Sequence, residues 1–86
     1  MRDKVLNNLE CLASAGIGSG SIWNLQTTLP LKRVLEASYF DRFANHGVRR
    51  GDRISVLASY DEDEIESAWV LVTHVTVGKS VEVKKL

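Results

Sequence analysis

The sequence predicts an all-β fold, a small antiparallel β-barrel or sandwich of five to six short strands with one short helical turn. Three observations carry that expectation. Apolar and polar residues alternate with period two in the segments 22–28, 54–60, 67–77 and 81–84, the pattern of strands whose two faces meet different surroundings. Helical spacing, outside an ambiguous N-terminus, is confined to the segment 38–47. The short runs are bounded by Pro30, Gly47, Gly51 and Gly78, and no strand–helix–strand rhythm joins them.

At the N-terminus Val5, Leu9 and Leu12 follow helical spacing, whereas Leu9, Cys11 and Ala13 alternate as a strand would. Residues 1–15 therefore stay open to helix or strand, with a strand near 8–13 preferred. Gly16-Ile17-Gly18-Ser19-Gly20-Ser21 has the composition of a flexible loop, dividing an N-terminal arm, 1–20, from a compact β domain, 21–86. The run 22–28 puts Trp23, Leu25 and Thr27 on one face and Asn24 and Gln26 on the other. Pro30 ends it, because proline has no N–H for a strand ladder. Residues 31–37 read as a further short strand or an extended crossing.

Ser38 is a candidate helix cap, Tyr39, Phe40 and Phe43 stand at helical spacing with their rings inward, and Gly47 suits the position beyond a helix end. Gly51-Asp52 turns into a strand with Ile54, Val56, Ala58 and Tyr60 on one face. Asp61, Glu62, Asp63 and Glu64 are too charged to stay paired in a sheet and form a solvated loop. In 67–77 apolar residues occupy both faces, Trp69 and Leu71 against Val70 and Val72, which predicts a central strand covered on each side. Gly78-Lys79 closes a hairpin onto 81–84. The expected core is Trp23, Tyr39, Phe40, Phe43, Ile54, Val56, Trp69 and Leu71.

A chain of 86 residues supports one small core. Folding buries roughly 63% of its unfolded surface, or about 8,800 Å², and with about 60% of that apolar it gains roughly 130 kcal/mol at ~25 cal/mol/Å². Ordering the chain costs about the same at ~1.5 kcal/mol per residue, so further burial against a partner matters. A composition 44% hydrophobic and 26% charged argues against disorder. Eleven basic residues balance eleven acidic ones, which argues against a general nucleic-acid binder and a polybasic membrane binder. The longest apolar run, 68–72, falls far short of the ~18 residues of a membrane helix, and Asn7 and Asn8 break any signal-peptide core. The expectation is a soluble chain that is not exported. Cys11, the single cysteine, leaves no internal disulfide and no multi-cysteine metal site.

Catalytic chemistry lacks parts. His46 sits in an Asn-His-Gly helix end and His74 on a strand face, and both read as structural. A Cys11/His46 or Cys11/His74 pair has no third group to orient the base. The glycine loop departs from a dinucleotide fingerprint at Ser21, and Ser19 lacks the flanking glycines of a nucleophile elbow. A calcium loop started at Asp61 would place Glu66 where glycine is needed and Val72 where glutamate is needed. No catalytic residue, cofactor or metal is expected. Arg50-Gly51-Asp52 spells the integrin tripeptide, but in this place it reads as a turn.

Charge is segregated along the chain. Segment 32–53 carries six basic and three acidic residues, and 54–78 carries five acidic and no basic ones. A basic face for nucleic acid lacks an aromatic platform, since most of the few aromatics read as buried. The alternative is contact between copies or with a protein partner, through Arg42, Arg49 and Arg50 on one side and Asp61, Asp63 and Glu64 on the other.

Several features in a fixed order resemble small bacteriophage virion proteins of the capsid decoration or head-fibre-like type. They are Leu9-Glu10-Cys11-Leu12, the glycine/serine loop, Ser21-Ile22-Trp23, Thr27-Thr28, Tyr39-Phe40, Gly47-Val48, Gly51-Asp52-Arg53-Ile54, Val72-Thr73-His74-Val75 and a closing valine strand. Leu29-Pro30 stands where similar proteins commonly carry aspartate. The resemblance implies an all-β virion component made in the host cytoplasm, symmetric and preferably trimeric, seated on the major capsid protein, without enzymatic activity. The arm near 8–13 is the candidate for strand exchange or addition between copies. The competing expectation is a phage-encoded inhibitor that meets a host protein through its acidic patch.

Overall fold

The computed structural model describes residues 7–13 and 20–86. Five strands make one sheet in chain order: β1 (Asn7–Ala13), β2 (Ile22–Thr27), β3 (Arg53–Ala58), β4 (Glu66–Thr76) and β5 (Ser80–Lys85). The protein is mostly β, and the sheet is open, with β1 and β5 at its edges. The loop expected at 16–21 lies outside the described residues except for Gly20 and Ser21. Gly20 runs against the turn that leads into β3, and a Cβ there would overlap the Gly51 carbonyl oxygen.

The sheet is mixed, not wholly antiparallel. β2 and β3 run parallel, with Trp23 opposite Ile54 and Leu25 opposite Val56. The other three pairings are antiparallel. Parallel neighbours need a crossover of a dozen or more residues, and the segment 28–52 supplies it. A strand–helix–strand rhythm is thus present after all, built from α1 (Leu31–Val34) and a 3₁₀ turn (Tyr39–Phe43). Residues 31–37 are therefore not a strand. Elements of four and five residues are too short to leave a periodic trace.

The crossover covers one face of the sheet. Trp23, Leu25 and Thr27 of β2, Ile54, Val56 and Ala58 of β3, Val70 and Val72 of β4 and Val81 of β5 are buried there beneath Val34, Tyr39, Phe40 and Phe43. The aromatics meet edge to face, with Tyr39 and Phe40 centroids 5.1 Å apart at 82°. Burial pushes the Tyr39 phenol above its ordinary pKa, opposed by its hydrogen bond with the Thr27 side chain and by Arg42. Ser38 does not cap the turn through its side chain. It adopts a left-handed φ of 75° that redirects the chain from α1 into the turn.

Pro30 offers α1 no side-chain cap, and the sheet provides one instead. Glu66, at the start of β4, accepts from Leu31 N–H at 3.0 Å and from the Ser59 hydroxyl at 2.8 Å. These bonds, the Leu31 amide first, hold the Glu66 carboxyl below its ordinary value, and burial opposes them weakly. Because the folded value is depressed, this support is complete above the unfolded carboxylate range and fades as pH falls through the folded value. Glu66→Gln is expected to flatten the loss of thermal stability between neutral pH and pH 3. Parallel melting curves for the two proteins check this, and identical pH slopes refute it.

Two local features break the expected alternation. After Ala58, Ser59 takes a left-handed φ of 52°, so Tyr60 is exposed and does not continue the Ile54 face. In β4 the pairing with β5 slips between Val72 and His74. Val72 faces Val83, and beyond the bulge Val75 faces Val81, so both valine pairs serve the core while His74 is exposed. β4 lies inside the sheet, and among the described residues only one of its faces is covered. Trp69 is 46% exposed and Leu71 half-buried, so neither belongs to the core cluster expected of them.

Candidate functional site

Residues directly opposite across paired strands share a face, which defines the uncovered side of the sheet in three rows. The first is Ile22, Arg53, Leu71 and Lys84. The second is Glu10, Asn24, Ser55 and Trp69, and the third Asn8, Gln26, Leu57 and Ser67. The middle of this face is apolar or uncharged, and its charges stand at the margins. A shallow hollow of about 610 Å³ opens beside Trp69, bordered by Ile22, Arg53, Ser55, Ser67 and Leu86. The exposed indole stands among apolar and uncharged polar side chains with Arg53 and Lys85 at the edge of the hollow, an arrangement of the kind found at protein contacts.

The charged residues singled out by the sequence separate in space. Arg49 and Arg50 are exposed just before β3, and Asp61, Asp63 and Glu64 are exposed just after it. The six residues of β3 hold the two groups about 20 Å apart. Arg42 does not join Arg49 and Arg50. Its Nε donates to the Tyr39 carbonyl at 3.0 Å and its guanidinium lies 4.2 Å from the Tyr39 ring centroid. It borders a recess with Leu29, whose carbonyl accepts from Ser59 N–H beyond the end of β3. Arg42 therefore belongs to the acidic end of the molecule.

Among the nucleophile and base candidates nothing converges. Cys11 lies opposite Trp23, which lies opposite Ile54, which lies opposite Val70. Three strand spacings place the exposed Cys11 thiol at least ~14 Å from His74 on β4. His46 stacks its ring edge-on to Phe43, centroids 5.2 Å apart. No group of three His, Cys, Asp or Glu able to hold a metal ion occurs among the described residues. No helix among them is long and apolar enough to cross a membrane.

Among the described residues Asp52 is the buried carboxylate, 3% exposed. Its Oδ1 accepts from Ser21 N–H at 2.8 Å, and its Oδ2 accepts from the Trp23 indole and from Arg49 N–H, each at 2.9 Å. Its backbone exchanges with β4, since Gly51 N–H donates to Val72 O and Val72 N–H to Asp52 O, both at 2.8 Å. The carboxylate of Arg50-Gly51-Asp52 is thereby consumed inside the protein, so the tripeptide is a structural turn.

Reading by alternation overlooked the open face as a unit. The signal present was Asn24 and Gln26 opposite a buried face and Trp69 out of phase with Val70, but it becomes a surface only once the strand order is known. Comparison with protein-family models, with curated proteins and with solved structures yields no match to this chain.

Proposed function

We propose that the protein is a structural docking module without catalytic activity, which binds the capsid of a bacteriophage in many copies. The observation that carries the proposal is the placing of Arg49 and Arg50 before β3 and of Asp61, Asp63 and Glu64 after it, beside a sheet face left open among the described residues. Repeated copies on a lattice convert weak, charge-steered contacts into firm attachment. The resemblance of the ordered motifs to capsid decoration proteins supplies the partner. A barrel or two-sheet sandwich would then arise only by assembly, because the single sheet is open.

The test is direct. Mass spectrometry of purified particles is expected to find the protein in tens to hundreds of copies. Arg49→Glu combined with Arg50→Glu leaves the circular dichroism unchanged and lowers incorporation several-fold, the effect of reversing charges at the rim of a contact. Full incorporation of the double variant counts against the charge contact, and absence of the protein from particles counts against the capsid.

One observation favours a second reading, the run of exposed carboxylates Asp61, Glu62, Asp63 and Glu64 at a loop tip. As an inhibitor the protein would present this tip to a basic groove of a host protein. Host-protein capture that is lost with Asp63→Lys and Glu64→Lys, together with particles lacking the protein, would select it.

A further inference from the structure

We infer that a second copy of this chain stacks face to face on the open side of the sheet, with the β1 edge of one copy over the β5 edge of the other. The inference does not depend on the capsid reading. It rests on the area, the composition and the charge pattern of one surface.

The area suffices. Strands are spaced by ~4.8 Å and run about six residues of ~3.3 Å, but β5 is staggered along β4 and meets the rows of β1–β3 only near Lys84 and Lys85, so the face that two copies can superpose is roughly 380 Å² in projection. The accessible area of the standing side chains exceeds the projection, and a stacked pair removes roughly 1,000 Å² in total, where specific interfaces begin. The other face is already spent beneath the crossover, so among the described residues this is the broad surface left to the sheet.

The composition is that of an interface centre. Trp69 and Leu57 lie among Ser55, Ser67, Asn24 and Gln26 in two uncharged rows, and Arg53 stands between Ile22 and Leu71 in the row at the end of the face. Depletion of charge with an aromatic anchor is the mark that separates a buried patch from general surface. Arg53 opens β3 at the end of the face, where its long side chain reaches the rim. The apolar residues on both sides of β4 are also explained. One set packs beneath the crossover, and the other meets a second sheet about 10 Å away.

Two of the charges at the margins, Glu10 and Lys84, are complementary between copies, while Arg53 of the middle strand faces its own counterpart and is accommodated by extending its side chain to the rim. Glu10 stands exposed on β1 and Lys84 exposed on β5, at opposite edges of the same face. A two-fold axis parallel to β3 exchanges the two edges, so Glu10 of each copy falls beside Lys84 of the other, twice per pair. An axis perpendicular to the strands would set Glu10 against Glu10. The charge pattern thus selects the arrangement in which the stacked strands run parallel. The result is a two-fold pair in place of the trimer implied by the family resemblance.

Sedimentation equilibrium of the full chain across a concentration series tests this. A dimer is expected. Glu10→Lys and Lys84→Glu should each weaken it roughly tenfold, and the two together should restore it, with the differences shrinking at high salt. Trp69→Asp should give a monomer with unchanged far-ultraviolet circular dichroism, since the indole stands outside the core. A wild-type monomer at 100 µM, a trimer, or a double variant no tighter than either single one would overturn the inference. Capsid incorporation of the Arg49 and Arg50 variants is read separately, so the two proposals fail independently.

Discussion

Asp52→Ala is expected to destabilise the protein by at least about 3 kcal/mol, lowering its melting temperature by roughly 12–24 °C. The substitution strips the acceptor from three donors at once. Ser21 N–H, Arg49 N–H and the Trp23 indole all end on this one buried carboxylate, at 2.8–2.9 Å. Each bond to a charged group contributes about 1.5–3 kcal/mol, and the three are not additive because the site relaxes as a unit. Asp52→Asn tests the charge separately from the shape. One amide oxygen cannot serve donors arriving at both carboxylate oxygens, so its NH₂ must face at least one N–H. Asparagine is therefore expected to be intermediate. Urea denaturation of the three proteins checks the order, and a cost below about 1 kcal/mol for alanine would deny Asp52 its place as the junction of β2, β3 and β4.

Phe40→Ala is expected to cost about 3–5 kcal/mol, the range for removing a buried aromatic and leaving a cavity. Phe40 is 2% exposed, contacts Tyr39 edge to face and lies 6.1 Å from the Phe43 centroid. Its turn is fastened to the last strand, since Asp41 beside it accepts Val81 N–H at 3.0 Å. Losing the ring loosens the lid over the sheet and its contact with β5 together. A domain of this size holds about half a dozen kcal/mol, so the variant should keep only about 1–3 kcal/mol and melt roughly 12–40 °C lower. Chemical denaturation decides the point. A native-like midpoint would mean that the crossover covers the sheet without supporting it.

What could be read from the chain divides along a physical line. Strands whose alternation is strict, such as 22–27 with Trp23, Leu25 and Thr27 turned inward, announce both their existence and their buried face. The aromatic cluster at Tyr39, Phe40 and Phe43 was visible for the same reason, because three rings at helical spacing have few other destinations. The parallel pairing of β2 and β3 was not visible. It depends on where a crossover lands, and α1 and the 3₁₀ turn are shorter than the window that reveals periodicity. The apolar neighbours of Trp69 point it to the interior, yet exposure is decided by the second layer and not by the strand itself. Asp52 illustrates the opposite case. A Gly-Asp dipeptide signals a turn, but its service to an indole 29 residues earlier is a property of the fold alone.

The parallel neighbours also fix an order of events. β3, β4 and β5 form a meander of consecutive strands, with closures that span few residues. β2 meets β3 only after the whole of 28–52 has folded back, so this join bears the largest loop-closure entropy in the sheet. During synthesis β1 and β2 emerge early and wait with one side of β2 bare until β3 arrives. The wait exposes the Trp23 and Leu25 ladder to any foreign strand, and the speed of the crossover sets how long that hazard lasts.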